Sequence, residues 1–246
     1  QRQNLDKYEY LCYNEGIIKV RCIDMISRDN YLERLKAFKN NKLIKVITGI
    51  RRCGKSTLLE LFKEYLKGEG ESDDNIIHIN LELMKYDDVR DYKTFYNLIT
   101  EKIKNNDRCY LLIDEIQQVD KWEKAINSMN DEFNVDIYIT GSNAYLLSSE
   151  ISTLLSGRYV EIKMLPLSFK EYLEFDHLPH DWTLEDKFNQ YLIFGSLPAV
   201  PTLPQDNTTI NEFLLGIYNT VIVKDVISRN NIKDIGLLEQ IVKYVV

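Results

Sequence analysis

The chain has 246 residues, of which 44% are apolar and 28% charged, and its formal net charge is -7. That is enough apolar material for the core of one large domain or two small ones, and the acidic balance excludes binding to nucleic acid by bulk surface charge, leaving only local basic patches. No apolar run reaches membrane-spanning length and nothing resembles a signal peptide; four cysteines (Cys12, Cys22, Cys53, Cys109) without metal-ligand spacing point to free thiols in a reducing compartment, so the expectation is a cytoplasmic protein with no membrane span.

Residues 1–24 read as an extension of uncertain order, polar up to Tyr10, with Gly16–Ile23 able to form a short strand. From Asp29 a helix is expected, with Leu32, Leu35, Lys36 and Phe38 on one side and Asn40-Asn41 ending it. Leu43–Thr48 is apolar and β-branched and reads as a strand. It runs into Gly49-Ile50-Arg51-Arg52-Cys53-Gly54-Lys55-Ser56-Thr57, which fits G-x-x-x-x-G-K-[ST], and Thr57–Leu66 follows with apolar residues at helical spacing. Strand, glycine loop and helix is the context a phosphate-binding loop needs. The glycines let several N–H groups point at one spot, the helix start adds its unpaired N–H groups, Lys55 brings charge to the outer phosphates and Ser56 offers a hydroxyl to Mg²⁺.

Ile76–Leu81 reads as a second strand, with His78 as a packed residue and Glu82 at its polar end. A helix is expected over Tyr92–Lys104. Cys109–Ile113 then runs into Asp114-Glu115, where a buried strand would deliver Asp114 beside the phosphate loop to hold Mg²⁺ and Glu115 to accept a proton from an attacking water. A short helix around Trp122 and a strand over Val135–Thr140 follow. Ser142 and Asn143 would close that strand at the ligand-binding edge of a sheet, where Asn143 can contact a γ-phosphate; helix capping is the plainer reading of both. Arg158 precedes a fifth strand. It is read as an arginine that reaches a phosphate in its own site or a neighbour's, although a surface arginine is the plainer reading on spacing. Pro166, Ser168 and Glu171 form a capped helix start. Asp176–Trp182, with His177 and His180, reads as a solvated loop rather than a metal site. Helices are expected over 184–194, from Ile210 onward and from Ile235, and the uncapped Val245-Val246 reads as the start of a truncated region.

These motifs together resemble the archaeal and bacterial AAA-type ATPases often found with a carboxy-terminal DUF4143 region. The resemblance rests on five stretches in order: the loop Gly49–Thr57, Leu112-Ile113-Asp114-Glu115-Ile116-Gln117, Thr140-Gly141-Ser142-Asn143, Ser156-Gly157-Arg158, and Leu165-Pro166-Leu167-Ser168-Phe169-Lys170-Glu171. It covers about residues 25–200, with a weaker match from 210, and departs where members carry Gly-Gly-x-Pro and this chain has Gly195-Ser196-Leu197-Pro198. It implies an α/β P-loop NTPase fold, AAA-like, with a central parallel sheet and a following helical lid. The expected division is an extension over 1–24, an ATPase core over 25–166, a lid over 167–208 and the start of a carboxy-terminal region over 209–246. It implies Lys55 and Ser56 on phosphate and Mg²⁺, Asp114 on the metal, Glu115 as the catalytic acid, Asn143 at the sensor position and Arg158 as the arginine before the lid.

The function expected is Mg²⁺-dependent ATP hydrolysis that drives a conformational change of the lid against the sheet. The alternative is a nucleotide-gated switch that turns over slowly and grips DNA or protein, with a homo-oligomer left open. Kinase-type transfer is disfavoured because Glu115 beside Asp114 would waste ATP on water. Arg51 and Arg52 add positive field near phosphates, face a partner, or make surface salt bridges.

Overall fold

The structure is a computed structural model describing residues 8–13, 16–21, 26–104, 107–142, 151, 153–175, 177–221 and 235–245. Two strands at the start, β1 (Tyr8–Tyr13) and β2 (Gly16–Arg21), pair antiparallel in a hairpin with Tyr13 opposite Gly16. The second is the strand expected from composition. The first is not expected from the sequence, and it pairs with the second through backbone groups that every residue carries.

Five further strands make the main sheet: β3 (Ile44–Gly49), β4 (Ile76–Asn80), β5 (Cys109–Asp114), β6 (Val135–Ser142) and β7 (Tyr159–Met164). Their order is β4-β5-β6-β3-β7 and every neighbouring pair is parallel. Helix α1 (Asp29–Ala37) precedes β3, and the helices between the strands are α2 (Lys55–Gly68), α3 (Tyr92–Thr100) and α4 (Trp122–Glu132). A parallel sheet covered on both faces must be apolar on both, and β3 and β5 are buried at all six positions. Alternate side chains go to opposite faces. Val46, Leu111, Ile113, Ile137 and Ile139 pack with Phe95, Ile99, Ile126 and Met129 of α3 and α4. Ile47, Tyr110, Leu112, Tyr138 and Ile162 pack with Leu35, Leu58, Phe62 and Leu66 of α1 and α2. The result is an α/β fold of three layers, with the sheet in the middle.

After β7 the chain is helical: α5 (Phe169–Tyr172), α6 (Leu184–Phe194), α7 (Asn207–Thr220) and α8 (Ile235–Val245). The expected Ser168–Glu171 capping box opens α5, and Thr183 with Asp186 makes a second at α6. Leu167, Tyr172, Phe175 and Leu178 form one small core here, and Phe194, Val200 and Ile210 another. Among the described residues no helix is long and apolar enough to cross a membrane.

The N-terminal edge of the sheet hides a charge pair that periodicity does not reveal. Lys45 of β3 and Asp136 of β6 are fully buried and in direct contact. Asp136 also accepts from the Tyr138 hydroxyl (3.0 Å) and the Asn40 N–H (2.8 Å), and the Tyr138 ring lies 4.8 Å from the ammonium. Burial pulls the Lys45 ammonium below its ordinary value even against the attraction of Asp136, and burial raises the Tyr138 hydroxyl. Removing one partner strands the other. Asp136→Asn is expected to destabilise the fold by roughly 3–5 kcal/mol in urea unfolding, while the joint Lys45→Met, Asp136→Leu substitution recovers most of that loss. An Asp136→Asn protein that unfolds at the wild-type midpoint would show that the pair is not desolvated.

Candidate functional site

All five parallel strands end on the same edge, so the residues after β3, β4, β5 and β6 converge there. β3 finishes at Gly49 and α2 begins at Lys55, with the glycine loop between them. Gly49 has no room for a side chain: a Cβ there would stand 2.5 Å from the Met164 carbonyl oxygen and 2.7 Å from Cys53 Sγ. Gly54 caps the helix at φ 101°, a left-handed conformation that glycine adopts freely, and Arg52 is also left-handed at φ 64°. Cys53 is buried in the core beneath the loop. Burial pushes its thiol up, against the nearby charges of Lys55 and Arg28, so it anchors the loop as a packed residue. Lys55 is nearly buried, and its Nζ donates to the carbonyls of Gly49 (3.2 Å) and Ile50 (3.1 Å). Ser56 and Thr57 lie in the first turn of α2, where backbone N–H groups have no partner within the helix.

The acidic end faces this loop across one intervening strand. β6 separates β3 from β5, so Asp114 stands two strand spacings from the loop's own strand, about 10 Å, and not on its neighbour. Asp114 is 1% exposed, and its Oδ1 accepts from the Thr140 hydroxyl. The same hydroxyl oxygen accepts the Glu115 N–H at 3.0 Å. Glu115 is left-handed at φ 56°, and its Oε2 accepts from the Gln117 side-chain amide. Burial raises the Glu115 carboxyl above its ordinary value; the Gln117 hydrogen bond and the Lys55 charge work against that rise. A phosphate between Lys55 and Glu115 would find a cation and N–H groups on one side and a carboxylate of raised basicity on the other. The oxygens of Ser56 and Asp114 suit Mg²⁺, a hard cation that takes one or two carboxylates and leaves its other positions to water and phosphate. Among the described residues no three His, Cys, Asp or Glu side chains form a metal cluster.

The remaining candidates divide. Arg51 makes a salt bridge to Glu82 at 2.8 Å, joining the loop to the end of β4, and Arg52 lies over the Phe213 ring of α7 at 5.7 Å. Ile50 is about half exposed at the loop tip. Asn143 lies outside the described residues, as does the side chain of Ser142. Arg158 is a correction to any reach into its own site. It precedes β7, whose first residue Tyr159 pairs with Ile44 at the start of β3, and its Nη1 holds Asp131 at 2.6 Å. From there the loop at Gly49 is about five residues up the sheet, some 17 Å, beyond the length of an arginine side chain. His78 is half-buried with Nδ1 3.2 Å from Glu60, and burial keeps it below its ordinary value. His177 and His180 are exposed.

Two contributors escape a reading of the sequence. Thr140 looks like the last β-branched residue of a strand, yet the pairing of Ile113 with Ile139 sets it beside Asp114. Arg28 sits in an unremarkable stretch ahead of α1, yet it is 3% exposed and donates to the Cys53 carbonyl within the glycine loop. Thr140 opens the Thr140–Asn143 stretch of the resemblance, but its role, like that of Arg28, shows only once the strand order is known.

Residues 41–173 match the family described as AAA domain. An uncharacterized protein of Haemophilus influenzae is 43% identical over 222 residues, covering 89% of this chain and 55% of its own. An uncharacterized protein of Methanocaldococcus jannaschii is 35% identical over 211 residues, covering 80% of this chain and 46% of its own. The chain therefore spans about half the length of the curated relatives it matches. Among solved structures, a DNA polymerase III gamma subunit-related protein of Thermotoga maritima is 15% identical, with a TM-score of 0.45 over 66% of this chain and 56% of that one.

The raised Glu115 carboxyl has a consequence for stability. Its folded pKa lies above the unfolded value, so ionising it in the fold is disfavoured, and that penalty is complete above the folded pKa and absent below the unfolded one. Glu115→Gln is thus expected to raise the melting temperature at neutral pH, by about 2–4 °C for each kcal/mol relieved, with the gain vanishing below about pH 4. Thermal unfolding of both proteins from pH 4 to pH 8 checks this; a gain that is constant with pH would place its origin elsewhere.

Proposed function

The chain belongs to the AAA domain family, and from that premise we propose that it hydrolyses ATP with Mg²⁺ and uses the cycle to shift its helical lid against the sheet. The observation that carries this reading is the facing of Lys55 and the start of α2 with Glu115, within reach of each other's charge on one sheet edge. Lys55 exchanges its two loop carbonyls for the outer phosphates, and the N–H groups of residues 50–57 take the remaining oxygens. Ser56 and Asp114 hold Mg²⁺, which, when bound, draws charge from the phosphate oxygens. Thr140 fixes the Asp114 carboxylate and the Glu115 backbone. Glu115 takes a proton from water as its oxygen bonds to the γ-phosphorus and the bond to the β–γ bridging oxygen breaks, yielding ADP and phosphate. Burial supports this role, since it makes the carboxylate more basic.

The finer likeness, to ATPases with a DUF4143-like carboxy-terminal region, belongs to the same proposal and rests on the five motifs. So does the division into core (25–166), lid (167–208) and the start of a further region (209–246), although the small core of Phe194, Val200 and Ile210 crosses the second of these boundaries. A DNA or protein partner would be gripped by that further region. Arg158, too far from its own loop, serves the site of a neighbouring copy.

Phosphate release from ATP with Mg²⁺, compared between wild type and Glu115→Gln, tests the reading. Turnover is expected to fall roughly 10²–10⁴-fold with ATP binding retained. Tight binding by both proteins with no release from either would instead favour the slow nucleotide-gated switch. For Arg158, equal mixtures of Arg158→Ala and Glu115→Gln chains, each inactive alone, should regain about a quarter of wild-type turnover, because random neighbours rebuild that fraction of complete sites. Mixtures as inactive as their components would show that Arg158 does not serve a neighbouring copy's site.

A further inference from the structure

Arg28 is a buried guanidinium with contacts in three directions. Its Nη1 donates to the Cys53 carbonyl in the phosphate loop at 3.3 Å. Its Nη2 donates to the carbonyls of Leu165 (2.7 Å) and Pro166 (3.4 Å), where the chain leaves β7 for the helices. Its Nε stands 2.9 Å from Glu171 Oε1 in an ion pair whose angle is too poor for a hydrogen bond. The other oxygen of Glu171 accepts from the Ser168 N–H (2.7 Å) and hydroxyl (2.8 Å), so the carboxylate that neutralises Arg28 also closes the cap of α5. The flanking residues reinforce the junction. Tyr31 lies under the guanidinium at 4.9 Å and its hydroxyl accepts the Leu165 N–H at 3.0 Å, while Ile26 packs into the Leu167–Phe175 core. Arg28 itself is held left-handed at φ 48°, a strain that persists only where surroundings over-determine it.

The contact with Cys53 matters because a peptide unit is rigid. The Cys53 carbonyl and the Gly54 N–H share one plane and, in a trans peptide, point in opposite directions. Holding the carbonyl therefore aims the Gly54 N–H away from Arg28. A phosphate that engages that N–H rotates or locks the same plane, and the carbonyl carries the change to the guanidinium. Arg28 can relay it because its rigid planar fork fixes the angles between its acceptors, whereas a lysine ammonium is a compact charge on a flexible stem.

We propose that Arg28 is a positioning residue that couples phosphate-loop occupancy to the turn and helix following β7. This rests on the nucleotide reading of the loop, and the test separates the two. Amide hydrogen exchange of wild type is followed with and without Mg²⁺ and the β,γ-imido analogue of ATP. Slowed exchange is expected in both residues 50–58 and residues 165–173. In Arg28→Lys, protection of 50–58 should remain while the nucleotide-dependent protection of 165–173 falls by roughly 10-fold or more, and turnover should lose kcat with KM little changed. Wild-type protection of both segments in Arg28→Lys would overturn the coupling. Wild-type protection confined to 50–58 would also overturn it and leave the nucleotide reading standing, whereas protection of neither segment would remove both. If Arg28→Lys does not fold, Glu171→Gln carries the same test, since an amide can still cap α5 while the charge opposite Arg28 is gone; its expected and overturning results are the same.

Discussion

Parallel pairing is the constraint on which this molecule depends. A strand that pairs parallel with its neighbour must be followed by a crossover, and here α2 and the segments around α3 and α4 provide crossovers that bring each strand back in the same direction. Every strand then ends on one edge. The glycine loop, Glu82, the Asp114-Glu115 pair and the end of β6 meet there although they are dispersed over a hundred residues of chain. The other edge receives what the strands begin with, including Arg158 and the Asn40–Asp136 network.

The two edges handle buried polarity differently. At the N-terminal edge, Lys45, Asp136, Tyr138 and Asn40 satisfy one another. Such a set stabilises one arrangement of β3 against β6 and has nothing left to offer a ligand. At the C-terminal edge Lys55 and Glu115 are held by neutral partners. Lys55 rests on two carbonyls, and Glu115 on a single side-chain amide. A charged ligand can compete for groups satisfied in this way. Left-handed backbone occurs there at Arg28, Arg52 and Glu115, and at the other edge at Asn40.

The helices after β7 are tied to the loop by more than chain continuity. Leu167 donates its N–H to Ser196 at 2.8 Å, bringing the Gly195–Pro198 loop back to the end of the sheet. The Pro198 ring lies close to where a Gly54 side chain would project, and Phe213 meets Arg52. The helices after β7 and the glycine loop therefore meet at several points.

Much of this was legible from residue order. The glycine loop, the apolar strands, the carboxylate pair and the capped start of α5 are local patterns, and local patterns follow from spacing: period two or continuous burial for strands, period 3.6 for helices, fixed offsets for a loop and a cap. What spacing does not contain is which strand lies beside which. The insertion of β6 between β3 and β5 makes Thr140 the link between Asp114 and Glu115, the parallel pairing of β7 with β3 sets Arg158 a strand's length from the glycine loop, and the docking of the segment ahead of α1 lets Arg28 reach Cys53 and Leu165. The contacts of Thr140 and Arg28 join residues 25 to 137 positions apart, and only the closing of the sheet and the packing of the helices on it could decide them.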